Sequence, residues 1–265
     1  MFSRRMVLQG LAATAFLPAA AIYGNSGPAL AQKGGTPVQP DTIKTKAGDL
    51  IIQPVNHACV VLTFGSDVIY VDPVGGGDRY KSFNKPTAIL ITHAHPDHFD
   101  VPTLTAIAKS AKLIIGPQVV LDGLTPELKA KAKLMANGDS GTVNDIPIKA
   151  VAAYNTTPDR LKFHPKGVGN GYVLSFGDKK LYLAGDTEDT PEMRALTNID
   201  IAFLPMNLPY TMTGEQAAAA VKAFKPKIVY PYHYGEDGAE TAKFAAALKG
   251  FPDVEVRQRD WYAYS

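Results

Sequence analysis

The chain has 265 residues, of which 46% are hydrophobic and 20% are charged, a composition typical of a folded globular protein and not of a disordered or fibrous one. Its net charge of +2 is small, so bulk electrostatics indicate neither nucleic acid nor an anionic membrane as a partner. The single cysteine, Cys59, excludes an intrachain disulfide and an all-cysteine metal site. Because Cys59 lies in an apolar run, we expect a buried, unreactive thiol.

The first 31 residues differ in character from the rest of the chain. Arg4-Arg5 precede an apolar stretch over residues 11–22, and Ala29-Leu30-Ala31 supplies a small-x-small cleavage site. This pattern resembles a twin-arginine signal peptide. A retained membrane anchor is the alternative, but the run is shorter than the ~20 residues of a spanning helix and contains Pro18. The segment therefore predicts a periplasmic or secreted protein without stable membrane insertion after cleavage.

The rest of the chain is expected to form a flexible mature N-terminus, residues 32–47, followed by one domain, residues 48–265. Apolar runs bounded by turn residues predict strands, the first half also shows helical patterns, and a capping box at Thr213–Gln216 opens an alanine-rich helix. The predicted strands are 50–55, 58–64, 68–71, 112–115, 148–153, 172–176, 181–184, 199–204 and 228–230, and the predicted helices are 101–110, 125–136 and 213–224. This order, repeated in two halves, indicates two packed sheets with helices on both outer faces, an α/β fold.

The strongest chemical signal follows a short apolar strand at residues 88–91. It contains His93, His95, Asp97 and His98 within six residues. Residues two apart at the end of an extended strand point to the same side, so His93 and His95 can converge on one metal ion. Asp97 and His98, in the turn that follows, can face a second ion. The alternative, a cluster of surface histidines, does not account for their position directly after a buried strand.

This HxHxDH pattern is similar to the signature of the metallo-β-lactamase superfamily, whose four-layer αββα sandwich agrees with the predicted order of elements. Gly185-Asp186-Thr187 and the segment around His233 follow in the order of that family. Within it, the chain most resembles the branch of L-ascorbate-6-phosphate lactonase and N-acyl-phosphatidylethanolamine phospholipase D. That finer resemblance is carried by the segments around His57, Asp72, His164 and Tyr210.

The resemblance implies a site for two divalent metal ions, with zinc expected and manganese or iron compatible with the same donors. One ion would be held by His93, His95 and a third histidine. The other would be held by Asp97, His98 and His233, with Asp186 as the bridge. Independently of the resemblance, Asp186 follows a predicted strand and a glycine that permits close backbone approach; a hairpin-terminating aspartate is the alternative.

The third histidine ligand is open at this stage. Related lactonases place a histidine near the end of the preceding strand, a region that Ala153-Tyr154-Asn155 occupies in this chain. His164 lies nine residues beyond Asn155, in a loop rich in proline and glycine. His164 is the only histidine between His98 and His233. Either His164 is the ligand, or Asn155 or water completes the shell and His164 belongs to the loop or contacts substrate.

Further residues are candidates for supporting roles. His57 and Asp72 can each hydrogen-bond a metal ligand and fix its orientation, although a structural imidazole is an equal alternative for His57. Tyr210 and Tyr232 lie beside motif positions and are candidate substrate contacts, with core packing as the alternative for each.

These features predict an exported hydrolase that attacks a small-molecule ester or lactone, amide or phosphodiester. Two metal ions would activate a hydroxide and polarise the substrate, with Asp97 and Asp186 as the catalytic carboxylates. A non-haem iron oxygenase on the same fold and a periplasmic metal- or ligand-binding protein without turnover are the competing hypotheses. Fold-level resemblance does not determine the substrate.

Overall fold

A computed structural model of the chain describes residues 38–235 and 237–262. The predicted signal peptide, residues 1–31, lies outside the described residues, as do residues 32–37. Among the described residues, no helix is long and apolar enough to span a membrane.

Two seven-stranded mixed sheets form the centre of the fold. The first sheet contains, in spatial order, β1 (Asp41–Thr45), β2 (Gly48–Asn56), β3 (Cys59–Phe64), β4 (Asp67–Val71), β5 (Ala88–Leu90), β6 (Leu113–Gly116) and β7 (Ala132–Leu134). The second contains β8 (Ser140–Val143), β9 (Ile146–Ala153), β10 (Gly169–Phe176), β11 (Lys179–Leu183), β12 (Ile201–Met206), β13 (Ile228–Tyr234) and β14 (Glu255–Val256), in the spatial order β14 to β8.

Helices cover the outer face of each sheet. The helices of the first half are α1 (Val101–Ile107), α2 (Gln118–Gly123) and α3 (Pro126–Lys129), and those of the second half are α4 (Pro191–Arg194), α5 (Gly214–Phe224) and α6 (Ala239–Ala247). The capping box expected at the start of α5 is present, because Thr213 and Gln216 exchange side-chain and backbone hydrogen bonds. The predicted four-layer αββα sandwich is confirmed.

The period of two along each strand divides the buried side chains between two cores. In β4, Ile69 and Val71 point into the core between the sheets, whereas Val68 and Tyr70 point toward the helices of the first half. Such strands are buried on both faces, and this explains their nearly continuous apolar sequences.

Two predictions about local structure are wrong. Residues 41–45, expected to be flexible, form β1, which pairs antiparallel with β2. The expected helix over residues 125–136 ends after one turn, at Lys129, and residues 132–134 instead form β7 alongside β6. In both places, pairing with an available sheet edge outweighs the local sequence preference.

Two hairpins were predicted correctly. Gly65 and Gly177 each have a φ of 59° and lie in the two-residue turns that join β3 to β4 and β10 to β11. A positive φ is readily adopted by glycine, so each tight turn needs little strain. The hairpins bring the antiparallel half of each sheet against a parallel half, β4 to β7 in the first sheet and β11 to β14 in the second.

Candidate metal centre

The candidate site lies where the carboxyl ends of the parallel strands of both sheets meet. In the first sheet, Asp72 follows β4 and the segment from His93 to His98 follows β5. In the second sheet, Asp186 follows β11 and His233 lies near the end of β13. His164 comes from the loop between β9 and β10. Polar side chains at strand ends can thus converge while the strands themselves stay apolar.

The first group of possible metal ligands contains His93, His95, His164 and Asp186, whose donor atoms all lie within 4.8 Å of one another. His93 Nε2 lies 3.1 Å from His95 Nδ1. His164 Nε2 lies 3.2 Å from Asp186 Oδ2. Of the two candidates for the third position, His164 is therefore the one that joins His93 and His95 in this group.

The second group contains His57, Asp97, His98 and His233. Asp186 reaches this group as well, because its Oδ1 lies 3.3 Å from His98 Nε2 and its Oδ2 lies 3.2 Å from His233 Nε2. The two groups together contain all six histidines of the chain. The structure thus brings together all seven expected ligands, with Asp186 between the two groups.

Hydrogen bonds at the far side of two imidazoles fix which nitrogen can bind a metal ion. His98 Nδ1 lies 2.8 Å from Asp72 Oδ2, and His164 Nδ1 lies 3.0 Å from the carbonyl oxygen of Tyr210. A carbonyl or ionised carboxylate oxygen only accepts hydrogen bonds, so Nδ1 must carry the hydrogen in both rings. In the neutral rings, the Nε2 lone pairs then face the site, as metal binding requires.

Asp72 therefore has the supporting role expected from the sequence. It is buried and also accepts hydrogen bonds from the backbone N–H (2.7 Å) and hydroxyl (2.6 Å) of Thr92. Because Thr92 immediately precedes His93, one carboxylate fixes both the start of the histidine segment and the ring of His98.

Three site residues adopt backbone conformations that are rare for residues other than glycine. The φ angles of His57, Asp72 and His233 are 53°, 45° and 44°. At His233 the pairing of β12 with β13 also shifts by one residue, as in a β-bulge that redirects a side chain. Such conformations cost about 1–3 kcal/mol each and cluster at functional sites.

Several buried polar atoms at the centre have no hydrogen-bond partner among the described residues. They are the Nε2 atoms of His98, His164 and His233, the Nδ1 atom of His233, Asp186 Oδ1 and Asn155 Oδ1. Most buried polar atoms in folded proteins are hydrogen-bonded, so a concentration of unsatisfied lone pairs indicates a missing electrophile. Imidazole nitrogen and carboxylate oxygen are suitable donors for zinc, iron or manganese, and the residues present therefore fit two divalent ions.

Burial and neighbouring charges lower the pKa values of His93 and Asp186, for different physical reasons. Burial lowers the pKa of His93 well below its usual value, which keeps this imidazole in the neutral form that binds metal. For Asp186, burial opposes ionisation, but the neighbouring His233 and His98 outweigh it and hold its pKa well below the usual range. The centre thus contains an ionised, buried carboxylate between neutralising groups, an arrangement typical of functional sites.

His57 contacts the second group directly. Its Nε2 lies 3.1 Å from Asp97 Oδ2, its Nδ1 lies 2.9 Å from the hydroxyl of Tyr262, and its ring centroid is 3.8 Å from that of His233. This geometry supports the orienting role proposed for His57. It also places His57 among the possible ligands, which the sequence interpretation did not include.

The loop that carries His164 is held by residues that sequence reasoning missed. Glu188 is fully buried and accepts hydrogen bonds from the backbone N–H groups of Thr156 (2.7 Å) and Thr157 (2.6 Å) and from Arg160 (2.7 Å). The only sequence signal was that Glu188 follows Asp186 by two residues, and nothing in the sequence indicated its partners.

Asn155, the alternative to His164, supports the same loop. Its side-chain amide donates to the carbonyl oxygens of Arg160 (3.1 Å) and Tyr210 (2.7 Å). His164 also donates to the carbonyl oxygen of Tyr210. Asn155 thus fixes the carbonyl that orients His164.

The two candidate tyrosines have different positions. Tyr210 is 44% exposed and lines the pocket above the metal groups, so a substrate contact is possible for its side chain. Tyr232 is buried, and its hydroxyl accepts a hydrogen bond of 2.9 Å from the backbone N–H of Gly185. Tyr232 therefore lies behind the site, where it supports the turn that presents Asp186.

A pocket of about 370 Å³ opens onto both metal groups, a size within the range of small-molecule sites. Its lining includes ligands from both groups together with Pro96, Phe163, Asn207 and Tyr210. The side chain of Asp97 is 48% exposed, so a molecule in this pocket can reach that carboxylate.

Comparison with known proteins identifies the family. The Beta-lactamase superfamily domain matches residues 51–233. The chain is 32% identical, over 192 residues, to a UPF0173 metal-dependent hydrolase of Natranaerobius thermophilus, an alignment that covers 68% of this chain and 81% of the relative.

Solved structures agree with this match. A protein provisionally assigned as a metal-dependent hydrolase from Parabacteroides distasonis superposes with a TM-score of 0.76 and 44% identity, over 84% of this chain and 99% of the other. CmlA, a diiron β-hydroxylase from Streptomyces venezuelae, superposes with a TM-score of 0.63 and 17% identity, over 81% of this chain and 53% of the other, and shares the fold alone. The chain belongs to the metallo-β-lactamase superfamily and to its metal-dependent hydrolases.

Proposed function

Starting from membership of this family, we propose that the chain is an exported hydrolase with a dinuclear metal centre that acts on small esters or lactones, amides or phosphodiesters. The observation that carries the proposal is the position of Asp186, whose carboxylate faces both groups of histidines. The ligands of the metal centre would be His93, His95 and His164 for one ion and Asp97, His98 and His233 for the other, with Asp186 shared by both.

Two bound divalent ions would lower the pKa of water toward neutrality and polarise a carbonyl or phosphoryl oxygen. The residues of this chain supply the rest of the chemistry. Asp97 Oδ2 contacts His57 and lies 3.4 Å from His233 Nε2, so the carboxylate is held in a fixed orientation. Because half of its side chain remains exposed in the pocket, Asp97 can orient a nucleophile and pass a proton to the leaving group.

Elemental analysis of the loaded protein tests the number of ions. We expect about two transition-metal ions per chain, with zinc preferred by this set of imidazoles and carboxylates. Removal of metal by a chelator should abolish activity, and restoring metal should recover it. A fully active protein that holds one ion would contradict the dinuclear arrangement.

Iron with oxygen-dependent chemistry is the alternative hypothesis. The fold also occurs in CmlA, a diiron β-hydroxylase, and the donors of this chain suit iron as well as zinc. Loading the protein with Fe(II) and measuring oxygen consumption in the presence of candidate substrates separates the two chemistries. Hydrolysis by the zinc form without oxygen consumption by the iron form would support hydrolysis alone.

For the substrate, the resemblance to the lactonase and phospholipase D branch suggests a cyclic ester or a phosphodiester. Parallel screening of the metal-loaded protein with lactones, phosphodiesters and N-acyl amides tests this suggestion. Activity on amides alone would place the chain outside that branch.

Export through the twin-arginine route is a proposal that rests on Arg4-Arg5 and the segment that follows them. Replacing both residues with lysine keeps the charge but removes the guanidinium pair, and should trap the precursor in the cytoplasm. Unchanged export, with the same processed N-terminus near Gln32, would contradict the assignment.

A further inference from the structure

A second, smaller cavity adjoins the first metal group and has no role in the proposed chemistry. Its volume is about 180 Å³. His93, His95 and His164 form its polar side, and the rest of its lining is apolar, namely Ala94, Val119, Ala153, Phe163, Pro165, Val168 and Gly169. No charged side chain is among these lining residues, in contrast to the main pocket, which contains Asp97 and Asp186.

The two cavities share one wall. His95, Phe163 and His164 line both of them. The ring of Phe163 packs edge-on against Tyr210 at a centroid distance of 5.0 Å. The apolar cavity therefore borders the pocket in which a reacting group would lie over the metal ligands.

The burial of the lining indicates a blind cavity with an apolar mouth. Ala153 and His93 are 2% and 4% exposed and lie at the buried end. Val119 and Val168, by contrast, are 38% and 39% exposed at the open end. Exposed apolar side chains that lie together at the border of a pocket indicate a binding site for an apolar group. Isolated exposed apolar side chains, by contrast, need no explanation.

We propose that this cavity is a specificity pocket for an apolar group of the substrate, about the size of a phenyl ring or a short alkyl chain. The size follows from the volume, since a sealed apolar protein cavity of about 150 Å³ accommodates benzene. The substrate class is thus an ester, amide or phosphodiester with an uncharged apolar substituent on the side of the first metal group. This inference rests on the proposed function, because it uses the same metal centre to anchor the reacting group.

Hydroxamic acids test the inference without turnover, because their head group chelates a metal ion and their tail can be varied. Binding of aceto-, butyro-, hexano-, benzo- and decanohydroxamic acid to the zinc-loaded protein would be measured by calorimetry. Each methylene group buried in the cavity should tighten binding about fourfold. The gain should stop near six carbons, and benzohydroxamic acid should bind more tightly than acetohydroxamic acid by at least tenfold.

Val168→Asp places a charge at the mouth of the cavity and should abolish the dependence on tail length, because burying an apolar tail beside an unpaired carboxylate is unfavourable. Ile51→Asp is the matched control, since Ile51 is 36% exposed on β2 and does not line the cavity. This control should keep the full dependence. Metal content and melting temperature of both variants show whether the centre and the fold are intact.

The outcomes separate the two proposals. If acetohydroxamic acid does not bind and the protein holds no metal, the proposed function itself fails. If acetohydroxamic acid binds and affinity does not change with tail length, the metal centre stands and the apolar pocket is overturned. The apolar pocket would also be overturned if affinity continued to rise up to ten carbons, or if Val168→Asp left the dependence of affinity on tail length unchanged. In both cases the tail would lie on another surface.

Discussion

Replacement of Asp72 by asparagine tests how the second metal group is oriented. Asp72 Oδ2 accepts hydrogen bonds from His98 Nδ1 at 2.8 Å and from the hydroxyl of Thr92 at 2.6 Å. In Asp72→Asn, the amide oxygen can keep the bond from the backbone N–H of Thr92, but the amide nitrogen then faces His98. Two donors cannot face each other, so the hydrogen of His98 must move from Nδ1 to Nε2.

The shape of the site should change little, because asparagine and aspartate have nearly the same size. The Nε2 lone pair of His98 is lost to the metal, however, and Nε2–H points toward Asp186 Oδ1, 3.3 Å away. Changes to such partners of metal ligands cost about 10–100-fold in metal affinity, equivalent to about 1.4–2.7 kcal/mol. We expect a loss of this size at the second group and little change at the first.

Competition with a chromophoric chelator measures the two affinities separately when they differ. The control is Asp200→Asn. Asp200 is also largely buried, and accepts hydrogen bonds from the backbone N–H of Lys180 (2.9 Å) and from Lys227 (2.8 Å), but it precedes β12, at the end of the sheet opposite Asp186. A folded Asp72→Asn protein that binds both ions with parental affinity would refute the tautomer argument.

Three further predictions use other parts of the structure. His164→Ala should severely weaken metal binding at the first group and remove activity. His57→Ala should lower metal affinity or activity only about 10–100-fold, and both ions should still bind at high metal concentration. Normal binding of two ions by the His164→Ala protein would remove His164 from the ligands. Burial raises the pKa of the Cys59 thiol to about 12, so iodoacetamide at pH 8 should modify it only after unfolding, and rapid labelling of the folded protein would contradict this. Gly214→Ala would place a methyl group 2.2 Å from a backbone oxygen of α6. This clash should lower the free energy of unfolding by about 1–3 kcal/mol and the melting temperature by several degrees. In the control Gly141→Ala, the nearest neighbour of the new methyl group would be a flexible side-chain end at 3.4 Å, so stability should change little.

Much of the metal centre could be predicted from sequence because its signals are local. His93, His95, Asp97 and His98 lie on one short segment after a strand, so their convergence follows from strand geometry. The glycine before Asp186 predicted a close backbone approach at this position. The structure agrees, because Gly185 has a φ of 65° and a Cβ there would lie 2.7 Å from a backbone oxygen. His233 could be assigned only by resemblance, and the role of His164 stayed open, because both residues are distant in sequence from that segment.

The tertiary structure alone decided the features that depend on contacts between distant segments. Strand β1 forms because the edge of β2 is available, although its own sequence predicted a flexible segment. Glu188 holds the loop that carries His164 through Arg160 and the backbone of Thr156 and Thr157, which lie about 30 residues away. The apolar cavity combines Val119 from α2 with Phe163 and Val168 from the loop between β9 and β10. Hydrophobic attraction is not directional, so the sequence determines which side chains are apolar, and only the packed chain determines which of them enclose a space.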